Sequence, residues 1–341
     1  MPRINLALQG GGAHGAFSWG VLDVLLQLPE IEIAAISGTS AGALNGAALK
    51  AGMVQGGREA ARDNLDWLWE RMGALSGGGF TDWLNGIGPE TIARGLEYSP
   101  GYVMSDLATR FFSPYAYGPF YSHPLKPIVQ ALHYDQICAN KGPDLFVCAT
   151  NVRTGKARVF TGSEVSVDAI LASACLPTVF QAVELDDPQT GRTEAYWDGG
   201  YTGNPALWPM FRQDLPQDIV IVNINPIERD GVPKTPAQIQ SRMNEISFNS
   251  ALLAELRAIG FAKRLLTQGA VKQGQMKDIH VHMIADDALM NDLSAATKIV
   301  PVPSLLNRLK AAGQSAAIAF LDAHYDDLGR QSSVDLTSIY G

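Results

Sequence analysis

Three consecutive glycines, Gly10, Gly11 and Gly12, end the first apolar run of the chain, and a second glycine-flanked turn, residues 38–42, ends the next. Few folds accommodate that opening. Residues 4–8 read as a short buried strand, and Phe17, Val21, Val24, Leu25 and Leu28 recur at helical spacing across residues 16–28. A second strand follows at 31–37, then a helix rich in small residues over 41–51. Strand, glycine loop, helix, strand, tight turn, helix is a βαβα start, which points to an α/β fold with a mainly parallel sheet. Both glycine turns then lie at the C-terminal edge of neighbouring strands, where ligands bind.

Strand patterns return at 145–150, 157–160, 179–183 and 219–223. A helix is expected over 237–269, a strand at 279–284, and helices near 304–312 and 314–325. No repeat or low-complexity linker divides the 341 residues, so the chain reads as one domain, 1–341, with a helical C-terminal part from 236 to 341. Residues 76–125 differ. They hold ten of the 28 aromatics, few charges and many Gly and Pro, which reads as an irregular insertion. It is either a satellite cluster under a long loop or an apolar lid or acyl-chain wall.

Composition excludes several classes. The net charge is −8 and no Lys/Arg run stands out, so nucleic acid is not an expected partner. No charged segment leads into an apolar stretch and cleavage site, and no apolar run is long enough to span a bilayer. Cys138, Cys148 and Cys175 are odd in number and lack metal spacing, which fits reduced thiols in a cytosolic compartment. The expected location is cytoplasmic or membrane-peripheral.

Gly10, Gly12 and Gly15 fit the G-x-G-x-x-G of dinucleotide-binding loops. Such a unit also needs an acid at the end of the following strand to hold the ribose. Here that strand ends in Ser37 and Gly38, while Glu30 and Glu32 lie at its start. The same glycines have another use. Backbone N–H groups without Cβ neighbours can converge, the next helix adds its positive end, and a phosphate or oxyanion fits the nest. On its own, the loop reads first as a tight strand-to-helix turn.

Residues 38–42, Gly-Thr-Ser-Ala-Gly, are G-x-S-x-G between a strand and a helix, the context of a nucleophile elbow. A serine nucleophile needs a base. One arrangement is Ser40, Asp198, His324, the chain order of α/β-hydrolases. Against it, only two strands precede the elbow, and His324 sits in a helical stretch beside acids. The other base is Asp198 alone, in Tyr196-Trp197-Asp198-Gly199-Gly200, which reads as an exposed tight turn. A carboxylate is a weak base for a hydroxyl, so it must touch Ser40, and burial beside Trp197 would raise its pKa. The remaining polar residues read as structural. His280 and His282 share a strand face without a third ligand, and Cys175 is a buried, inert thiol. Asp168, Asp186 and Asp187 are solvated or capping acids, and Asp326 and Asp327 a solvated helix end.

Together these stretches resemble the patatin-like phospholipases, serine lipid acyl hydrolases that use a Ser–Asp dyad. The ordered pattern of that family is a G-G-G-x-R/K-G loop, a G-x-S-x-G elbow and a D-G-G/A motif, matched at 10–15, 38–42 and 198–200. TNVRTGKARVF (150–160), ASACLPTVF (172–180), DGGYTGNPAL (198–207) and EISFNSALLAELRAI (245–259) extend the likeness, the last being closer to bacterial members. The resemblance implies a three-layer α/β/α patatin-like (FabD/lysophospholipase-like) fold. It implies Ser40 as nucleophile, Asp198 as base, and the N–H groups of Gly10, Gly11 and Gly12 as oxyanion hole. Gly15, Gly38, Gly42, Gly199 and Gly200 would shape the loop, elbow and turn. The implied reaction cleaves carboxylic esters of phospholipid or other acyl lipids through an acyl-enzyme, without metal or organic cofactor. The implied partners are the acyl lipid or ester substrate and peripheral membrane contact. A thioesterase, short-chain esterase or polyester depolymerase would use the same dyad. A catalytically silent lipid-binding scaffold would keep the fold, although intact Ser40 and Asp198 argue against it. Two positions depart from the pattern. His14 stands where the family usually has Arg or Lys, which removes a fixed charge beside the loop unless the imidazole is protonated. Gln9 stands where some members carry Asp.

Overall fold

The computed structural model describes residues 1–75, 91, 95–96, 99, 113–229, 231–272 and 274–340. Most of the aromatic-rich segment 76–125, with its lid or acyl-wall reading, lies outside the described residues.

Among the described residues eight strands form one sheet: β1 (Arg3–Leu8), β2 (Glu32–Thr39), β3 (Asp144–Asn151), β4 (Ala157–Thr161), β5 (Val183–Asp187), β6 (Arg192–Asp198), β7 (Asp218–Val222) and β8 (His280–Ile284). Their order is β5-β6-β3-β2-β1-β7-β8, with β4 also paired to β3. The run β3-β2-β1-β7-β8 is parallel. The β3–β4, β3–β6 and β6–β5 pairs are antiparallel. The fold is therefore α/β with a mixed, mostly parallel central sheet.

Strand periodicity explains why helices cover both faces. In β7, Val220 and Val222 point into one apolar cluster and Ile219 and Ile221 into the other. On the first face lie the helices Ala16–Leu25, Ala41–Ala74 and Pro303–His324, anchored by residues such as Leu22, Leu44 and Leu309. On the second lie Pro236–Thr267 and Leu336–Tyr340, through Leu252, Leu256 and Leu336.

Several boundaries differ from the sequence expectation for physical reasons. The helix expected over 41–51 continues to Ala74, bending at Gly57, where φ is 80°. The helices expected at 304–312 and 314–325 are one, Pro303–His324. Gly313 does not break it, because it faces the Phe17 carbonyl at a close crossing that leaves no room for a side chain. The strand expected at 179–183 begins only at Val183. Val179 and Phe180 instead donate back to the Leu176 carbonyl, at 3.0 and 2.8 Å, as a turn. The β6 strand opens on Arg-Thr-Glu, which hides its alternation, and the Ala295–Ile299 helix is too short to show periodicity.

Asp187 corrects the expectation of a solvated acid: it is 2% exposed. It accepts from Arg158 Nε at 3.0 Å and Nη2 at 2.9 Å, and from the Tyr196 hydroxyl. Arg158 also reaches Glu164 at 2.8 Å. Burial alone would raise the Asp187 pKa, but the Arg158 and Tyr196 bonds outweigh it and hold the carboxyl at about 2. Arg158→Met leaves this carboxylate buried without its cation. The expected loss is about 3–5 kcal/mol of unfolding free energy, read by denaturant titration. A loss below about 1 kcal/mol, the range of an exposed ion pair, would refute the assignment. Asp168 is exposed in the first turn of the Val167–Ser173 helix, as a capping acid should be.

Candidate active site

The β2 strand ends at Thr39, and the Ala41–Ala74 helix starts at once. Ser40 makes the turn with φ 54° and ψ −120°, the only positive φ of a non-glycine among the described residues. Such strain persists only where the surroundings impose it. Here they do. The Ser40 N–H donates to Ser173 Oγ at 2.9 Å, and that hydroxyl donates to the Cys148 carbonyl at 2.6 Å. On the other side the Ser40 carbonyl accepts from the N–H groups of Ala43 and Leu44. Ser40 thus stands at the positive end of a helix, where negative charge is favoured.

Asp198 closes β6, two strands from β2, and pairs in register with Ala149 of the intervening β3. Its N–H donates to the Cys175 carbonyl at 2.7 Å, and its carbonyl accepts from the Thr150 hydroxyl at 2.8 Å. Carboxylate Oδ1 accepts from the Gly200 N–H at 2.7 Å. Oδ2 is buried and accepts no hydrogen bond among the described residues. The expected exposed turn is therefore a correction: Asp198 is 1% exposed. Burial pushes its pKa up to about 7, against the opposing pull of the Gly200 N–H and the nearby Ser40 hydroxyl. The Ser40 hydroxyl thus pulls on the carboxylate, although no hydrogen bond reaches Oδ2 among the described residues. Catalytic contacts are often this loose before substrate binds.

Between β1 and the helix at Ala16 runs the glycine loop. A side chain at Gly10 would press on Ser40 Cβ and the Thr39 carbonyl, both at 2.7 Å. The three N–H groups expected as oxyanion donors differ in their partners. The Gly10 N–H is already given to Asn204 Oδ1 at 2.6 Å. Those of Gly11 and Gly12 meet no acceptor among the described residues. Gly12 has φ 59°, and a Cβ there would run into the Lys298 carbonyl. Gly15, Gly38, Gly42, Gly199 and Gly200 abut Ala41, the Gly42 carbonyl, the Leu8 carbonyl, the Cys148 carbonyl and the Phe248 ring respectively. These contacts bring loop, elbow and turn together.

A layer of buried amides behind the loop was not read from the sequence. The Gly10 carbonyl accepts from Asn225 Nδ2 at 2.7 Å and Asn204 Nδ2 at 3.3 Å. Gln9 Oε1 accepts from the N–H groups of Ile224 and Asn225 at 2.8 and 3.1 Å. Asn249 Nδ2 donates to the carbonyls of Asn225 and Pro226. The signal in the sequence was the pair Asn223 and Asn225 in a strand-like apolar stretch. Buried amides need partners.

The other candidates lie elsewhere. His324 Nδ1 is 2.9 Å from Asp327 Oδ2 and its ring meets Phe320, so it is not brought to Ser40. His280 and His282 do share a face, but both turn to Asp218, at 3.5 and 3.0 Å. Among the described residues no group of three or more His, Cys, Asp or Glu is arranged for a metal ion. Cys175 is fully buried and burial lifts its pKa to about 12. Among the described residues no helix is long and apolar enough to cross a membrane.

A family model described as patatin-like phospholipase matches residues 6–210. Among solved structures, VipD from Legionella pneumophila is similar with TM-score 0.42 and 15% identity, over 95% of this chain and 67% of that one. The type III effector ExoU is similar with TM-score 0.33 and 15% identity, over 94% of this chain and 53% of that one. An ExoU–SpcU complex from Pseudomonas aeruginosa gives TM-score 0.31 and 17% identity, over 95% and 60%. The chain thus spans about two thirds of the first and roughly half of the second. No curated protein matches it in sequence.

Proposed function

Since the chain belongs to the patatin-like phospholipase family, whose members are lipid acyl hydrolases, we propose that it cleaves carboxylic esters of acyl lipids through Ser40 and Asp198. The observation that carries this reading is the pairing of a strained serine with a buried carboxylate whose Oδ2 is unoccupied and whose pKa stands near 7.

Asp198 takes the hydroxyl proton as Ser40 Oγ bonds to the ester carbonyl carbon. The carbonyl oxygen becomes an oxyanion, held by the N–H groups of Gly11 and Gly12 at the head of the helix that begins at Ala41. When the tetrahedral adduct collapses, the carbon–oxygen bond to the alcohol breaks, and Asp198 returns the proton to the departing oxygen. Water then attacks the acyl-Ser40, giving its proton to Asp198. Collapse releases the carboxylic acid and restores the serine proton.

Fluorophosphonate labelling tests the nucleophile. Wild type is expected to be labelled, and Ser40→Ala to be neither labelled nor active on p-nitrophenyl esters. Labelling that survives Ser40→Ala would overturn the assignment. The ratio of long-chain to short-chain ester turnover then separates a lipid hydrolase from a small-ester or thioester enzyme.

The pH profile supplies a second check. The base works only when Asp198 is ionised, so kcat/KM should rise with pH and level off above about 7. A limb near the ordinary carboxylate value of 3.8 would mean that Asp198 is not buried in the working enzyme. His324→Ala should leave that limb in place.

A further inference from the structure

One short helix, Ala295–Ile299, touches the glycine loop at two points and its amide support at a third, although it lies outside the stretch matched by the family model. Thr297 Oγ1 is 2.8 Å from His14 Nε2. That hydroxyl already donates to the Ser294 carbonyl at 2.6 Å, so the imidazole donates from Nε2. The Lys298 carbonyl covers Gly12. Lys298 Nζ donates to Asn225 Oδ1 at 3.2 Å and to Glu245 Oε1 at 2.9 Å. The Asn225 amide, in turn, donates to the Gly10 carbonyl and to Gln9 Oε1, at 2.7 and 3.1 Å.

Lys298 shares its carboxylate partner with two arginines. Glu245 is 1% exposed and is shared by Lys298, Arg229 at 2.7 Å and Arg242 at 3.3 Å. Burial would raise the Glu245 pKa, but Arg229 and Lys298 hold it at about 2, so the carboxylate is ionised. Three cations thus meet one buried carboxylate among the described residues; burial lowers the Lys298 pKa and Glu245 opposes that shift. His14 adds no further cation: burial first, and Lys298 second, hold its pKa well below the ordinary value.

We propose that Lys298 is a positioning residue for acyl transfer at Ser40. Through Asn225 it fixes the Gly10 carbonyl and so the direction of the Gly11 and Gly12 N–H groups. Its charge, one amide removed from the loop, favours negative charge at the hole that a neutral His14 does not stabilise. The inference rests on the hydrolase reading above.

The test compares Lys298→Met, Lys298→Arg and Thr297→Val with wild type, in ester kinetics, fluorophosphonate labelling and thermal unfolding. Lys298→Met leaves Glu245 paired with two arginines, so the chain is expected to fold with a nearly unchanged Tm. Its kcat should fall about 10- to 100-fold, below the cost of a whole oxyanion donor. KM should stay within about twofold, because the interaction acts on the transition state. Labelling of Ser40 should slow in proportion, and Lys298→Arg should recover most of the loss. Thr297→Val keeps the cation and should cost less than Lys298→Met. A wild-type kcat in Lys298→Met overturns the inference while leaving the hydrolase reading intact. So does a loss that follows a fall in Tm and is not restored by arginine. Wild type without turnover or labelling overturns both.

Discussion

Asp198→Asn is expected to lower kcat by about 10³- to 10⁴-fold and, at the same time, to make the chain harder to unfold at neutral pH. Asparagine keeps an acceptor for the Gly200 N–H but cannot take the Ser40 proton. The gain in stability comes from burial. The folded-state pKa of Asp198 is about 7, against an ordinary 3.8. Folding therefore favours the protonated acid. Below about pH 4 both folded and unfolded chains carry the proton, and no penalty arises. As pH rises, the unfolded chain ionises freely while the folded one must pay to do so, and the penalty is complete above about pH 7. About three pKa units correspond to roughly 4 kcal/mol. Denaturant unfolding of both chains at about pH 5 and about pH 8 reads this directly. The wild type should lose stability over that interval relative to the variant. Parallel losses would show that the Asp198 carboxyl is not desolvated in solution, and a variant with near-wild-type kcat would remove Asp198 from the proposed mechanism.

Gly12→Ala should be nearly as damaging for a different reason. The backbone there has φ 59°, and a methyl group would collide with the Lys298 carbonyl. Either the loop turns over or the Ala295–Ile299 helix moves away, and both outcomes swing the Gly11 and Gly12 N–H groups off the oxyanion. The expected loss is about 10²- to 10³-fold in kcat, with the sheet intact by circular dichroism. Ser40 and Asp198 are untouched, so the pH limb near 7 should persist in the residual activity. A variant with wild-type kcat would show that the oxyanion is held elsewhere.

How far the sequence was legible follows from the range of each interaction. The glycine loop, the elbow and the parallel neighbours β1 and β2 were readable because a strand, its turn and its helix adjoin in the chain. The burial of Asp198 was not. Asp-Gly-Gly looks like a surface turn until β3 and the Val167–Ser173 helix, through Ser173 and Cys148, close around it. Asp187 failed in the same way, since its partner Arg158 lies 29 residues off in another strand. The amide layer and Lys298 are more remote still. Asn204 meets Gly10 across 194 residues, and no local pattern marks such a pair. Three glycines in a row suggest three free donors, whereas the Gly10 N–H is given to Asn204 and holds the loop in place.

The reach of that loop has a consequence in time. His14 and Thr297 are separated by 283 residues. A ribosome adds about 5–20 residues per second, so tens of seconds pass between emergence of the glycine loop and synthesis of its last support. Throughout that interval the nascent chain carries its serine without the contact between His14 and Thr297. If the proposed mechanism holds, esterase activity should reach its full level only after the C-terminal third has been made and docked.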